Sequence, residues 1–342
     1  MATARSEAVN EGRTARRRAI LRLRDLLSVA IASVAVAAAG GAAAQAFPER
    51  PITLVVPFAP GASADGIARI VGRELASTLG QAVIVDNRPG GGGATGLLAV
   101  ARATPDGYLI GLGATGAIAV NPHLPDAAPL DPQKQLAPIA KLADIPLVFV
   151  ANGKSGFASI QDVVDRAKGS PDGVPYGTTG QYTSQHLAGE LLASLSKVRL
   201  VAVPYRGSGP AVTDLLGGQL GLAVVDLTSA SSHIKAGTLK ALAVTSATRT
   251  KVAPDIPTVA ESGVRNYAAS GWMGLFAPAK TPAAVVDRLS KAVQAIVARP
   301  DVQQQILALS AEPAYLDGAT FGRFIATESA KWETVIASTV RQ

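Results

Sequence analysis

Ile52-Thr53-Leu54-Val55-Val56-Pro57-Phe58-Ala59-Pro60-Gly61-Ala62-Ser63-Ala64-Asp65-Gly66 joins an apolar run to a stretch with helical periodicity. It reads as a strand, a tight turn and a helix start, with Ser63 as N-cap. Such a junction leaves backbone N–H groups without intrahelical partners at the helix N-terminus, where the helix dipole also favours negative charge. It can therefore hold a carboxylate or phosphate without any lysine or arginine. The helix is marked by Ile67, Ile70, Val71 and Leu75 on one face and by Gly80 as its stop.

The same alternation continues along the chain. Short β-branched runs recur at Val83–Asp86, Leu109–Leu112, Leu147–Val150, Leu200–Val203, Leu222–Val225 and Leu239–Val244, separated by amphipathic stretches. This pattern predicts an α/β fold with largely buried, mainly parallel strands. Further helices are expected from about Thr183, with Leu187, Leu191, Leu192 and Leu195 as the apolar face, and after Pro282, with Val285, Val286, Leu289, Val293 and Ile296. A last one is expected from Phe321 to about Val340, with Phe324, Ile325, Trp332 and Val335.

Residues 1–46 read as an export leader. A basic stretch ends in Arg16, Arg17, Arg18, Arg22 and Arg24, an apolar run covers Leu26 to Ala39, and Ala44-Gln45-Ala46 predicts cleavage before Phe47. Arg17-Arg18-Ala19-Ile20-Leu21 approximates a twin-arginine pattern, so export of the folded chain is compatible with the sequence. The formal net charge of +7 falls to +3 without the leader, which holds seven arginines and three acids, and no basic cluster with interleaved aromatics survives. A nucleic-acid partner is therefore not expected. Cysteine is absent, which removes disulfides, thiolate nucleophiles and cysteine metal sites. With 48% hydrophobic but only 4% aromatic residues, the core must be built from Ala, Val, Leu and Ile.

Several motifs invite a nucleotide or catalytic reading and fit it poorly. Gly91, Gly93 and Gly96 have G-x-G-x-x-G spacing, but no Asp or Glu occurs from Gly107 to Pro125 to meet a ribose, so a glycine-rich connection that lets backbones pack closely is the better reading. Gly153-Lys154-Ser155 ends like a P-loop, yet Val148 stands where the first glycine belongs. There is no G-x-S-x-G elbow, and His123, His186 and His233 have no Ser or Asp partner by motif. His186 and Glu190 share a predicted helix face, read as a solvated contact rather than a metal pair. Nothing calls for a cofactor or metal.

Tyr176-Gly177-Thr178-Thr179-Gly180-Gln181-Tyr182-Thr183-Ser184 repeats the logic of the first loop: a short strand, glycine-loosened amides with hydroxyls, then a helix. Each loop alone also describes an ordinary βα turn with capping residues. Two such loops in different halves of the chain suggest a cleft between lobes, with one carboxylate held from both sides.

With these motifs in place the chain resembles the Bug-type extracytoplasmic solute receptors of tripartite tricarboxylate transport systems. The resemblance is carried, in order, by Phe47–Ile52, the Pro57 to Asp65 loop, Asp86–Gly90, Pro105–Tyr108, Thr183–Glu190, Val203–Gly207, Pro257–Glu261 and Lys331-Trp332, and it extends over residues 47 to 340. It implies a two-lobed periplasmic-binding-protein fold of type II-like organisation, lobe one at 47–146 plus 272–342 and lobe two at 147–271, with crossings near Ile145-Pro146 and Gly271-Trp272 where Pro and Gly permit a hinge. It further implies a non-catalytic receptor closing on a small organic acid, exported to the periplasm and serving integral-membrane transporter subunits or a sensor, most simply as a monomer.

Family members hold a ligand carboxylate by amides and waters from the two loops. Carried onto this chain, that gives Phe58, Ala59, Gly61, Ala62, Ser63 and Asp65 from lobe one, and Thr179, Gly180, Gln181 and Thr183 from lobe two. Asp65 either meets a ligand group or simply favours the helix N-terminus. Thr115 and Asp226 are further candidates, at the C-terminal ends of strands. Two departures stand out: Ala62 replaces a usual glycine, and Tyr182 a smaller residue. A Tyr182 ring directed into the cleft would line it and favour a compact or aromatic ligand over a citrate-like tricarboxylate. A periplasmic enzyme acting on a carboxylate or ester is the competing reading, and an anchored interaction protein with an empty cleft is a third.

Overall fold

The computed structural model describes residues 47–339. The leader expected over residues 1–46 lies outside the described residues, as does Val340. From Ile52 onward the chain builds two sheets flanked by helices. The first half runs β1 (Ile52–Val56), α1 (Ser63–Leu79), β2 (Val83–Asn87), α2 (Ala94–Ala101), β3 (Leu109–Ala114), α3 (Pro132–Gln135) and β4 (Leu136–Ile145). The chain then passes through Pro146 into β5 (Leu147–Asn152), α4 (Ile160–Lys168), β6 (Val174–Thr178), α5 (Ser184–Ser196), β7 (Leu200–Pro204), α6 (Ser208–Leu216), β8 (Leu222–Asp226), α7 (Leu227–Lys235) and β9 (Leu239–Val244). It returns as β10 (Gly271–Pro278), α8 (Ala283–Val297), α9 (Pro300–Ala308), β11 (Glu312–Asp317) and α10 (Gly318–Thr339).

The first sheet has the order β11-β4-β10-β3-β1-β2 and the second β7-β6-β8-β5-β9. The α/β class and the two-lobed organisation are as expected, but the sheets are mixed rather than mainly parallel. Four pairings are parallel and five antiparallel. The reason lies in the crossings. β4 leaves the first sheet and β10 re-enters beside it, while β5 enters the second sheet and β9 leaves beside it, and an outgoing strand next to a returning one must be antiparallel. Burial on both faces, which the sequence shows, makes a strand central without fixing its direction.

α1 follows its sequence signature closely. Ile67, Ile70, Val71 and Leu75 are buried, and Gly80 ends the helix in the left-handed conformation at φ 71°, its N–H donating to the Ala76 carbonyl. One detail differs: the N-cap is Ala62, and Ser63 is the first helical residue. α5 begins after its N-cap Thr183 as expected, with Leu187, Leu191 and Leu192 buried, but Leu195 is 40% exposed because it lies in the last turn, beyond the covering sheet. α10 starts three residues before Phe321.

β10 is buried at all eight positions. Trp272 meets Phe321 and Phe324 edge-on, with ring centroids 5.3 and 5.5 Å away. Gly274 lies directly under Phe321: a methyl group there would fall 2.3 Å from a Phe321 ring carbon and 2.7 Å from the Ala140 carbonyl oxygen. Neither backbone nor a ring held by three aromatic neighbours, Trp272, Phe276 and Phe324, can yield cheaply. We therefore expect Gly274→Ala to lower unfolding stability by about 3 kcal/mol. Gly153→Ala, where a methyl group would meet nothing within 4 Å, should stay within about 0.5 kcal/mol of the parent chain. Chemical denaturation of the two variants checks this contrast.

Candidate functional site

β1 delivers the chain to the loop 57–62, and α1 starts at its far end. Gly61 has φ 82°, a conformation that favours glycine, and its N–H donates to Asp65 Oδ2 at 3.0 Å. The same oxygen accepts from Arg69 Nε at 2.9 Å, while Asp65 Oδ1 accepts from Asn87 Nδ2 at 3.0 Å. Asn87 also donates to the Phe58 carbonyl at 3.0 Å. Burial pushes the Asp65 carboxyl up, but the bonds from Arg69, Gly61 and Asn87 outweigh it and hold the group below its ordinary value. Asp65 thus braces the loop from behind and lines neither cavity described below. Of the two roles the sequence leaves open for Asp65, these bonds are those of a group serving the loop and helix start, and they engage the Gly61 amide as well.

The second loop is also largely engaged with itself. Gly180 N–H donates to Thr178 Oγ1 at 3.3 Å, Thr183 N–H to the Gly180 carbonyl at 3.5 Å, and Tyr182 N–H to His186 Nδ1 at 3.1 Å. Thr179 Oγ1 donates to Thr183 Oγ1 at 3.1 Å, which in turn donates to the Gly180 carbonyl at 2.8 Å. What this loop offers outward is the start of α5, where the amides of Ser184 and Gln185 have no partner within the helix.

The two loops face one another across a cavity of about 180 Å³, lined among others by Phe58, Ala59, Gly61, Ala62 and Ser63 from the first half and by Thr179, Thr183 and Asp226 from the second. Four helices begin at its wall. α1 contributes Ala62 to Ala64, α5 Thr183 to Gln185, α6 Gly207 to Pro210, and α7 Asp226 and Ser229. The N-caps of α1, α6 and α7 make no side-chain capping bond; Leu227 N–H at the start of α7 donates to the Pro146 carbonyl at 2.9 Å, whereas the first-turn amides of α1 and α6 are left for whatever enters. Among the described residues Asp226 is the only acid on this wall and the exposed Arg206 the only base.

A second cavity of about 910 Å³ adjoins the first, sharing Phe58, Ala59, Ala62, Gly92, Gly116, Thr179 and Thr183. Gly180, Gln181 and Tyr182 line this larger space and not the smaller one. Tyr182 sits at φ 61° with its ring edge-on to His186, centroids 5.7 Å apart. Gly90 to Gly93, whose dinucleotide spacing drew notice, form its opposite wall, all four at positive φ.

Thr115 is fully buried and lines neither cavity, because its Oγ1 accepts from the Trp272 N–H at 3.0 Å and ties the end of β3 to the start of β10. Its neighbours Ala114 and Gly116 line the smaller cavity instead. Asp226 is where it was expected and makes a bond the sequence does not announce: Ser63 Oγ donates to its Oδ2 at 2.5 Å, joining the two halves, and Gln185 Nε2 donates to Oδ1. The halves also meet through backbone at Gly116, where a methyl group would lie 3.0 Å from the Tyr182 carbonyl oxygen and 3.3 Å from the Thr183 Cα. The Ser184, Gln185, Ser208 and Ser229 positions were not read from sequence. α6 could have been, since Tyr205-Arg206-Gly207-Ser208-Gly209-Pro210 again follows a strand and opens a helix.

The sequence profile of the "Tripartite tricarboxylate transporter family receptor" matches residues 67–340. The chain belongs to this family. It is 34% identical to protein BugT of Bordetella pertussis over 315 residues, covering 91% of this chain and 97% of BugT. The solved structure of the periplasmic binding protein BugD superimposes with TM-score 0.79 at 34% identity, over 86% of this chain and 98% of BugD. The structure of R. palustris Rpa4515 with adipate gives TM-score 0.80 at 31% identity (86% and 98% covered), and that of MatC from Rhodopseudomonas palustris with bound malate 0.78 at 30% (85% and 100%). The chain is therefore a Bug-type solute-binding receptor, of a family of periplasmic receptors.

His186 is not a solvated contact, as the sequence suggested, but a half-buried support of the second loop. Its Nδ1 accepts from Tyr182 N–H and must be unprotonated, while Nε2 lies 3.7 Å from Glu190 Oε1. Burial pulls its pKa down to about 4 from 6.5. Between these values the unfolded chain binds a proton that the folded chain refuses, so stability falls as pH falls through about 6.5 to 4, by up to about 3 kcal/mol. His186→Asn, which keeps an acceptor near the Nδ1 position but does not titrate, should flatten this part of the profile. Unfolding curves at pH 7, 5.5 and 4.5 for both chains test it; parallel profiles would contradict it.

Proposed function

We propose that this receptor captures a small organic carboxylate in the smaller cavity, with the ligand oxygens received by the first-turn amides of α1 from one lobe and of α5 from the other. The observation that carries the reading is the convergence of helix N-termini from both sheets on one cavity, with Ala62 leaving α1 uncapped. Oriented amides in a water-poor cavity need no lysine or arginine to hold an anion. The cavity lies below the roughly 300–1,000 Å³ usual for drug-sized ligands, which favours a compact acid. The adipate- and malate-bound relatives support the carboxylate class.

In this reading lobe one comprises residues 47–146 and 272–342, lobe two 147–271, and they turn about Ile145-Pro146 and Gly271-Trp272. The ligand favours the closed arrangement because only there do both loops reach it. Gly116 permits that approach. The chain is exported with residues 1–46 removed, so that the mature protein begins at Phe47. It works as a monomer, and it delivers the ligand unchanged to membrane transporter subunits or to a sensor.

Calorimetry with a panel of small carboxylates should give one-to-one binding of at least one acid with Kd of about 1 μM or tighter, roughly −8 kcal/mol. At a hundredfold excess over Kd it should add about 2.7 kcal/mol of stability, with the ligand recovered intact. Gly116→Ala should fold normally and bind about tenfold more weakly, since the facing backbone must give way before the lobes meet. Absence of binding across the panel, or turnover of the bound acid, would remove the proposal.

A further inference from the structure

We infer that Asp226 sets the ligand class of the smaller cavity, selecting a monocarboxylate that also carries a hydrogen-bond donor, a hydroxyl or an ammonium, and excluding a second carboxylate. This rests on the receptor reading above and goes beyond it.

Aspartate is among the best helix N-caps, and Asp226 occupies the N-cap position of α7, yet its carboxylate makes no bond to that helix. It turns instead across the cavity, receiving Ser63 Oγ–H on one oxygen and Gln185 Nε2–H on the other. Both partners stand in the first turns of the helices whose amides are placed to receive the ligand. The carboxylate is buried, and among the described residues no cation pairs with it; burial pushes its pKa up, against the two hydrogen bonds. Each carboxylate oxygen can accept a further hydrogen bond, so Asp226 retains capacity on the cavity side.

The other charged group on this wall cannot balance it. Arg206 is exposed and shared with the larger cavity. A dicarboxylate confined in the smaller cavity would therefore bring its second charge against a buried carboxylate with no enclosed counter-charge, and like charges repel strongly where water is scarce. A ligand donor does the reverse, adding a further charge-assisted bond to a carboxylate whose present donors, Ser63 and Gln185, are both neutral. One end of the cavity is thus suited to an anion by helix amides, and the other to a donor by Asp226.

The test uses the mature chain and matched acids of three and four carbons: propionate and butyrate, their ω-hydroxy and ω-amino derivatives, and malonate and succinate, each titrated by calorimetry into the wild type and Asp226→Asn. In the wild type the hydroxy or amino acid should bind about tenfold or more tightly than the unsubstituted acid, and the dicarboxylate most weakly. Asp226→Asn, nearly identical in shape, should reverse the order, weakening the amino acid and strengthening the dicarboxylate by about tenfold each. The hydroxy and amino arms separate the two donor types. Tightest binding of a dicarboxylate by the wild type would overturn the inference while leaving the receptor reading intact, and so would an unchanged order in the variant. Failure of every acid to bind would overturn both. Should the variant not fold, the wild-type order alone decides.

Discussion

The arrangement on which everything else depends is the meeting of four helix N-termini around one small cavity. α1, α5, α6 and α7 each bring a partial positive charge to the same wall, α1, α5 and α6 with unpartnered first-turn amides, and the cation that lines it, Arg206, is exposed. An enclosed space with that field is unfavourable when it holds nothing negative. Asp226, bonded to Ser63 from the other half of the chain, answers part of that demand within the protein itself. The remainder is what a ligand carboxylate can satisfy.

This geometry follows from how the chain crosses between its sheets. Because β4 leaves and β10 returns as hydrogen-bonded neighbours, the two connections lie side by side, with Gly271 paired to Ile145. A methyl group at Gly271 would sit 3.1 Å from the Ile145 carbonyl oxygen, so the crossings are in close backbone contact. Thr115 anchors one of them by accepting the Trp272 N–H, and the Phe321–Trp272–Phe324 packing fixes the base from which the strand emerges. At the opposite end glycine backbone, at Gly92 and Gly116, faces the turn at Gln181 to Thr183.

Where the sequence could be read, it was read from contiguous signatures. Strand, glycine or serine turn and helix follow one another within fifteen residues at β1–α1 and again at β6–α5, so both loops were visible. The roles inside them were not, because they depend on partners distant in sequence: Asp65 is occupied by Asn87, and Ser63 caps nothing but reaches Asp226 instead. β4 escaped notice because Lys141 and Asp144 interrupt its apolar run; in the fold Lys141 is buried against the Phe324 ring and paired with Asp144 at 2.6 Å. β10 was hidden by Gly271 and Gly274, which are there so that a neighbouring strand and an aromatic ring can approach. The mainly parallel expectation failed for the same kind of reason, since strand direction is set by the crossings and not by side-chain pattern.

The most direct measurement is a crystal structure of the mature receptor with a bound carboxylate. This account predicts both ligand oxygens in the smaller cavity, within about 3 Å of first-turn amides of α1 and α5, with no lysine or arginine contacting them. A carboxylate lodged instead against Arg206 in the larger cavity, or touching only one of the two sheets' helices, would contradict it.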